Sequence, residues 1–212
     1  MTLHAYFLRH GETAFSAADG FCGSTDADLT PDGELMAQSF ADAYSNLQWD
    51  AIYSSPMKRT IATAKPLAAK VGLEPQIRDG LRELSYGAWE GKTRDEVKLA
   101  YGDDYSKWAA EPGWNSPTGG ETAFEISQRS GAVIEEIVTK HHNGNILIVS
   151  HKATIRIMLC ELMGIELGRY RDRVNVLTAS LALLTFDARG PMIQSIGDRS
   201  HLSAELRSRP GT

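Results

Sequence analysis

Leu3-His4-Ala5-Tyr6-Phe7-Leu8-Arg9-His10-Gly11-Glu12-Thr13 decides how the rest of the chain is read. Leu3 to Leu8 is a short, mostly apolar run that reads as a strand, and it ends on an arginine beside a histidine. Gly11 then lets the backbone turn sharply and approach a ligand closely. The guanidinium offers a planar cation with five donors, and the imidazole a ring nitrogen able to act as a nucleophile. Together they suit a phosphoryl group: one neutralises its oxygens while the other attacks phosphorus. Taken alone, the same pair is more often a turn with two solvated polar side chains, because short motifs match by accident.

Outward from this stretch, strands and helices alternate. Thr30-Pro31-Asp32-Gly33 opens a helix, with Thr30 as N-cap and Pro31 in the first helical position. Leu35, Met36, Phe40 and Tyr44 fall near helical spacing behind it. Ala51 to Tyr53 predicts a short buried strand, and Pro56 precedes a helix reaching about Val71. Residues 119–140 predict an amphipathic helix carrying Phe124, Ile126, Val133, Ile134, Ile137 and Val138. Ile146 to Val149 is a β-branched core strand, followed by a helix from His151 to about Met163. Val176 to Phe186 and Met192 to Ile196 predict closing strands. The order implies an α/β fold, a three-layer sandwich whose mostly parallel central sheet has helices on both faces. Residues 92–118 break the rhythm with Tyr101, Tyr105, Trp108 and Trp114 among glycines and prolines. They read as a small helical excursion over the site, or as an insertion whose aromatics pack only locally. A single domain over residues 1–212 is expected, with no repeat or linker.

Composition sets the bounds. The 212 residues are 42% hydrophobic, enough for one α/β core, and the formal charge of −5 gives no support for nucleic acid or a membrane surface as partner. Cys22 and Cys160 are too few for a disulfide framework. Met1-Thr2-Leu3-His4 runs straight into the first strand without a charged and apolar leader, and no run approaches the ~18 apolar residues of a membrane helix. The expectation is a soluble cytoplasmic enzyme. No metal-ligand or nucleotide-loop spacing is visible, so no metal and no cofactor are expected. Self-association as a homodimer is the one protein contact entertained.

Several ordered stretches resemble the histidine phosphatase superfamily, which includes the cofactor-dependent phosphoglycerate mutases. Leu8 to Thr13 is similar to its signature; Phe21-Cys22-Gly23, Asp26 and Leu29-Thr30 follow in the order of its next loop. Ser54 to Thr60, with Thr63-Ala64, resembles the motif carrying a second phosphate-binding arginine, here Arg59. Leu81-Arg82-Glu83-Leu84, with Gly87, Trp89, Glu90 and Gly91, resembles the motif whose glutamate donates a proton. Ile146 to His151 resembles the motif of the second histidine, and Gly197-Asp198 with Ser200-His201-Leu202 is similar to a common ending. The matches run from residue 8 to residue 202.

The chemistry of the residues fits that resemblance. Open α/β sheets bind ligands beyond the ends of their strands, and Arg9-His10, Arg59 and His151 each follow a strand. His10 is expected to attack phosphorus through a neutral ring nitrogen, which neighbouring cations favour. Arg9, Arg59 and His151 are expected to spread the charge on the phosphoryl oxygens. Glu83 is the expected proton donor, since like charge from a phosphate dianion pushes a nearby carboxyl toward its protonated form; the alternative is a salt bridge to Arg82 or Arg59. Glu12 and Glu90 are given supporting or helix-start roles. His4, inside the first strand, His141-His142, at a helix end, and His201, in the tail, are given no part in the chemistry.

The family often has an asparagine where this chain has Ser16, a glutamine at Cys22, an arginine at Gly20, and a glycine at Lys152. Ser16, Cys22 and Lys152 are expected to bind substrate with Gly23 of the matching loop, and the departures leave the identity of that substrate open. Lys152 either adds a cation beside the phosphate or a substrate carboxylate, or carries its ammonium out to solvent. The phosphoglycerate mutases have an arginine- and proline-rich insertion after the third motif. The matching stretch here holds only Arg94, Lys98 and Lys107 against Asp95, Glu96, Asp103 and Asp104. The sequence thus predicts a metal-independent phosphomonoesterase acting through a phosphohistidine on a small phosphate ester, with phosphoserine first among substrates. The alternatives are a phosphoglycerate mutase and a non-catalytic phosphate-binding module.

Overall fold

A computed structural model describes residues 2–17 and 20–209; Met1, read above as preceding the first strand, and the last residues of the expected domain lie outside them. The centre is a six-stranded sheet in the order β3-β2-β4-β1-β5-β6, built from β1 (Leu3–Arg9), β2 (Ala51–Ser54), β3 (Gln76–Ile77), β4 (Gly144–Ser150), β5 (Leu181–Asp187) and β6 (Gly190–Asp198). The first four in that order are mutually parallel; β5 and β6 are antiparallel and close one edge.

Strand alternation sends side chains to two covered faces. Tyr6, Leu8, Ile52, Leu147 and Val149 pack under α2 (Pro31–Tyr44) and α3 (Lys58–Val71). Ala5, Phe7, Tyr53, Ile146 and Ile148 pack under α6 (Ala123–Lys140) and α7 (Lys152–Met163). Short helices complete the chain: α1 (Ala14–Ala17), α4 (Arg94–Ala100), α5 (Gly102–Ala110), α8 (Tyr170–Arg173) and α9 (Ala204–Ser208). Helix starts follow the local chemistry. The Thr30 hydroxyl accepts from the Gly33 amide at 3.1 Å with Pro31 in the first turn, and Thr122 with Glu125 forms a capping box.

Two readings change. Residues 176–180 are not part of a strand; β5 begins at Leu181. Their burial imitates a core strand, but the backbone turns there, with Ala179 at φ 52° and its amide donating to the His10 carbonyl at 3.2 Å. The turn supports the end of β1 instead of extending the sheet. The predicted helix over 119–140 starts at Ala123, after the cap at Thr122. In the excursion, Trp108 and Val97 join Phe21 and Trp89 in a separate aromatic cluster, while Trp114 is 64% exposed and stacks on Phe124. The excursion therefore packs on its own cluster and still reaches the site described next.

Candidate active site

Three strand ends come together. The sheet register pairs Arg9 with Ser150 and Ser54 with Val149, so His10, Ser55 and His151 each continue from a neighbouring strand. The loop after β1 runs so close to the start of α2 that a Cβ on Gly11 would collide with the Gly33 carbonyl, and one on Gly33 with the Glu12 carbonyl. Glycine is needed on both sides of that approach. The Gly11 amide is fixed by the Thr63 hydroxyl at 3.0 Å.

His10 is only 5% exposed, and its Nδ1 lies 2.7 Å from the Gly11 carbonyl. A carbonyl only accepts, so Nδ1 carries the proton and Nε2 keeps its lone pair. Burial, then the positive charges of Arg59 and Arg9, hold this ring well below the ordinary histidine range. At neutral pH it is an uncharged imidazole with one free nitrogen, the form a nucleophile requires.

Arg9 donates to the Val176 carbonyl at 3.0 Å, and burial lowers its pKa to about 10, which leaves it cationic at neutral pH. Arg59 is fixed on three sides. Its Nη2 donates to the Gly23 carbonyl at 2.8 Å, Nη1 to the Thr25 carbonyl at 2.7 Å, and Nε to His151 Nδ1 at 3.2 Å. The carbonyls belong to a loop whose amides are gathered by one carboxylate. Glu90 accepts from the amides of Gly23, Ser24, Thr25 and Tyr86, and from the Thr25 hydroxyl. Glu90 is thus a supporting residue, as read, and the sequence gives no sign of how much of the loop it holds.

His151 behaves differently from the expectation of a direct phosphate contact. It is fully buried and does not line the pocket. Its ring lies 5.2 Å from that of His10, Nδ1 accepts from Arg59, and Nε2 faces the Ser55 hydroxyl at 2.8 Å. Arg59 Nε–H can only donate, so His151 carries its proton on Nε2 and gives it to Ser55. In this arrangement His151 positions Arg59 from behind.

Glu83 makes no ion pair with Arg82 or Arg59; Arg82 turns away to Asp79. Its Oε1 accepts from the amides of Leu84 (2.9 Å) and Thr154 (3.2 Å), and its Oε2 from the amide of Ala153 (3.1 Å). The carboxyl therefore sits on the first turn of α7, whose N–H groups have no partner within the helix. Oε2 has the fewer hydrogen-bond partners of the two oxygens.

Ser16, Cys22 and Lys152 line the same pocket as Arg9, His10, Arg59 and Glu83. Ser16 closes the α1 turn, accepting from the Thr13 amide at 2.9 Å. Burial raises the Cys22 thiol to about 11, so it is a neutral wall residue. Gly23 lies outside the pocket lining; it approaches the Leu84 carbonyl too closely for any side chain and presents its own carbonyl to Arg59. The expectation that it binds substrate becomes a role in holding Arg59. Of the excursion, Arg94 and Trp108 line the pocket and Lys98 and Lys107 do not. Arg156, Tyr170 and Arg171 were not singled out by the sequence, and all three line it with Tyr86. Basic lining residues are Arg9, Arg59, Arg94, Lys152, Arg156 and Arg171; the acidic one among the described residues is Glu83. Among the described residues no group of three or more His, Cys, Asp or Glu could hold a metal ion, and no helix is long and apolar enough to cross a membrane.

A mixed sheet with a neutral, arginine-flanked histidine and a carboxyl at its strand ends suits phosphoryl transfer, and comparison with known proteins agrees. A sequence profile of the histidine phosphatase superfamily (branch 1) matches residues 5–199. The chain belongs to that superfamily and is a phosphoric monoester hydrolase of the histidine phosphatase type. It is 31% identical over 195 residues to phosphoserine phosphatase 1 of Hydrogenobacter thermophilus, covering 92% of each chain. It is 29% identical to glucosyl-3-phosphoglycerate phosphatase of Mycolicibacterium vanbaalenii, covering 77% of this chain and 75% of that one. The solved structure of YhfR from Bacillus stearothermophilus superimposes with a TM-score of 0.87 at 26% identity, covering 95% of this chain and 100% of the other.

Proposed function

We propose that this chain is a metal-independent phosphomonoesterase that forms a phosphohistidine on His10 and acts on a small phosphorylated carboxylic acid, phosphoserine first. The observation that carries this reading is the state of His10: neutral, with Nδ1 tied to the Gly11 carbonyl and Nε2 free, between two fixed arginines. The phosphate sits between Arg9 and Arg59, and Nε2 attacks phosphorus in line with the ester oxygen. As the P–O bond breaks, a proton on Glu83 Oε2 passes to the leaving oxygen, and the alcohol departs. Glu83, now a carboxylate, takes a proton from a water whose oxygen attacks the phosphohistidine. The P–N bond breaks, inorganic phosphate leaves, and His10 and Glu83 return to their starting states. The charge a metal would neutralise is carried by arginines, which supports metal independence. The curated relative called a phosphoserine phosphatase supports the substrate class.

The mutase reading gains one observation, because Arg156 and Arg171 supply cations that residues 92–118 lack. Residues 92–118 supply only Arg94 as a basic lining residue, which favours hydrolysis. The test is phosphate release from phosphoserine in excess EDTA, beside conversion of 3-phosphoglycerate to its 2-isomer with a bisphosphate primer. Release that EDTA leaves unchanged and no net isomerisation are expected. Activity lost to EDTA and restored by a divalent ion, or isomerisation outpacing release, overturns it.

A further inference from the structure

Arg156 lies in the middle of α7, whose neighbours Ile155, Ile157, Met158 and Leu159 are all buried core residues. It follows Lys152 by four positions, so both side chains leave the helix on one face, and both line the pocket. Its Nε is buried without a hydrogen-bond partner, and among the described residues no carboxylate pairs with its guanidinium. Burial pulls this guanidinium below the ordinary arginine range, while Tyr170, Tyr86 and Glu83 nearby act in the opposite direction. Glu83 does not pair with it, because that carboxylate is held by the first turn of α7. Arg171, from α8, holds its guanidinium over the Trp108 ring with Cζ 4.0 Å from its centroid, and it too pairs with no carboxylate among the described residues. A desolvated guanidinium with open donors is costly unless a ligand brings the anion.

The place of these arginines matters as much as their number. The phosphoryl group belongs at His10, Arg9 and Arg59, and Glu83 must stand beside the ester oxygen. Arg156 and Arg171 line the pocket together with Glu83, Tyr86 and Tyr170, and the Arg156 charge also acts on Arg9, so Arg156 stands within the pocket that receives whatever is attached to that oxygen. A phosphate dianion is already met by Arg9 and Arg59. Further arginines in the same pocket match a second anionic group in the substrate.

We propose that Arg156 and Arg171 form a carboxylate subsite for the leaving-group half of the substrate, selecting phosphate esters of small hydroxy acids over matched neutral or cationic ones. The proposal rests on the reading of the pocket as a phosphomonoesterase site and adds the residues that choose its substrate. Arg156 presents a planar fork matched to a carboxylate. Trp108 holds Arg171 in place by stacking.

The test uses matched pairs: phosphoserine against phosphoethanolamine, and 3-phosphoglycerate against glycerol 1-phosphate. The reading is the ratio of kcat/KM within each pair. The wild type is expected to favour the carboxylated member by at least about tenfold, and Arg156→Met to reduce that ratio by about ten- to a hundredfold, the loss of one charge-assisted hydrogen bond, mainly through KM. Arg156→Lys keeps the charge without the fork and should restore part of the ratio. Arg171→Met is the second variant, read in the same way if Arg156→Met does not fold. A wild-type ratio near one in both pairs, or a ratio unchanged in these variants, overturns the subsite while leaving the phosphatase intact. If the wild type hydrolyses none of the four esters, the substrate reading fails by itself. Calorimetric binding of 3-phosphoglycerate and glycerol 1-phosphate then decides: selectivity lost in Arg156→Met supports the subsite, and equal binding of the two ends it.

Discussion

Glu90→Gln tests how Arg59, the arginine proposed to bind phosphate, is held. The Glu90 carboxylate takes the Gly23 amide at 3.0 Å, Ser24 at 2.8 Å, Thr25 at 3.3 Å, Tyr86 at 3.0 Å and the Thr25 hydroxyl at 3.0 Å. The loop so gathered offers the Gly23 and Thr25 carbonyls that fix Arg59. Glutamine keeps one accepting oxygen and turns an NH2 group toward amides that have nothing to accept with. Oε1 serves Ser24 and Tyr86, and Oε2 serves Thr25 through both amide and hydroxyl, so either orientation of the amide loses about half the contacts. A hydrogen bond to a charged group contributes ~1.5–3 kcal/mol, and water reaches part of this loop, so the loss should be about 2–4 kcal/mol. That is survivable within the ~5–15 kcal/mol of an ordinary domain. Urea denaturation followed by circular dichroism gives the stability, and steady-state kinetics gives the consequence for Arg59. KM should rise about tenfold or more as Arg59 loses its anchors. A stability change below about 0.5 kcal/mol with unaltered kinetics would show that the carboxylate does not organise the loop.

Glu83→Gln should slow alkyl phosphate hydrolysis by ~10²–10⁴, with a smaller loss in phosphoryl-enzyme formation from p-nitrophenyl phosphate, whose leaving group hardly needs a proton; equal losses argue for a structural Glu83. His10 and His151 are held well below the ordinary range and His201 near 4, each first by burial, so below pH ~6.5 the unfolded chain takes up protons that the native one refuses. Stability should therefore fall on acidification from pH 7 to 5, approaching ~1.4 kcal/mol per pH unit for each of the three; melting temperatures flat over that interval contradict the burial argument. Arg209→Ala removes the ion pair that reaches the 1%-exposed Glu12, two residues from His10, at 2.9 Å. Burial pushes that carboxyl up, but the bonds from Arg209 and Thr30 outweigh it, so stripping Arg209 should lower the midpoint of a denaturation curve, and no measurable change would show that the contact contributes nothing.

The strand-end motifs were legible because the sheet leaves them few places to go. Arg9-His10, Arg59 and His151 follow strands that the register sets side by side, so their proximity follows from alternation alone. The direction of a ring does not: nothing in Ser150-His151-Lys152 says that the imidazole turns toward Ser55 and Arg59 instead of the pocket. Arg156 was hidden inside an apolar helical run, although a lone arginine four residues after Lys152 is a signal in itself, since both must share a face. Arg171 was masked by its neighbours Arg169 and Arg173, of which the first pairs with Asp172. Residues 176–180 misled because burial and β-branched composition imitate a strand, whereas the turn at Ala179 is set by contact with β1.

The covalent step on His10 is open to direct measurement. Rapid quenching of wild-type protein with phosphoryl-labelled substrate should trap an adduct that survives base and is lost in acid, mapping to His10 and absent in a folded, inactive His10→Ala variant. Steady turnover by His10→Ala, or label found on another residue or on none, would contradict the central claim.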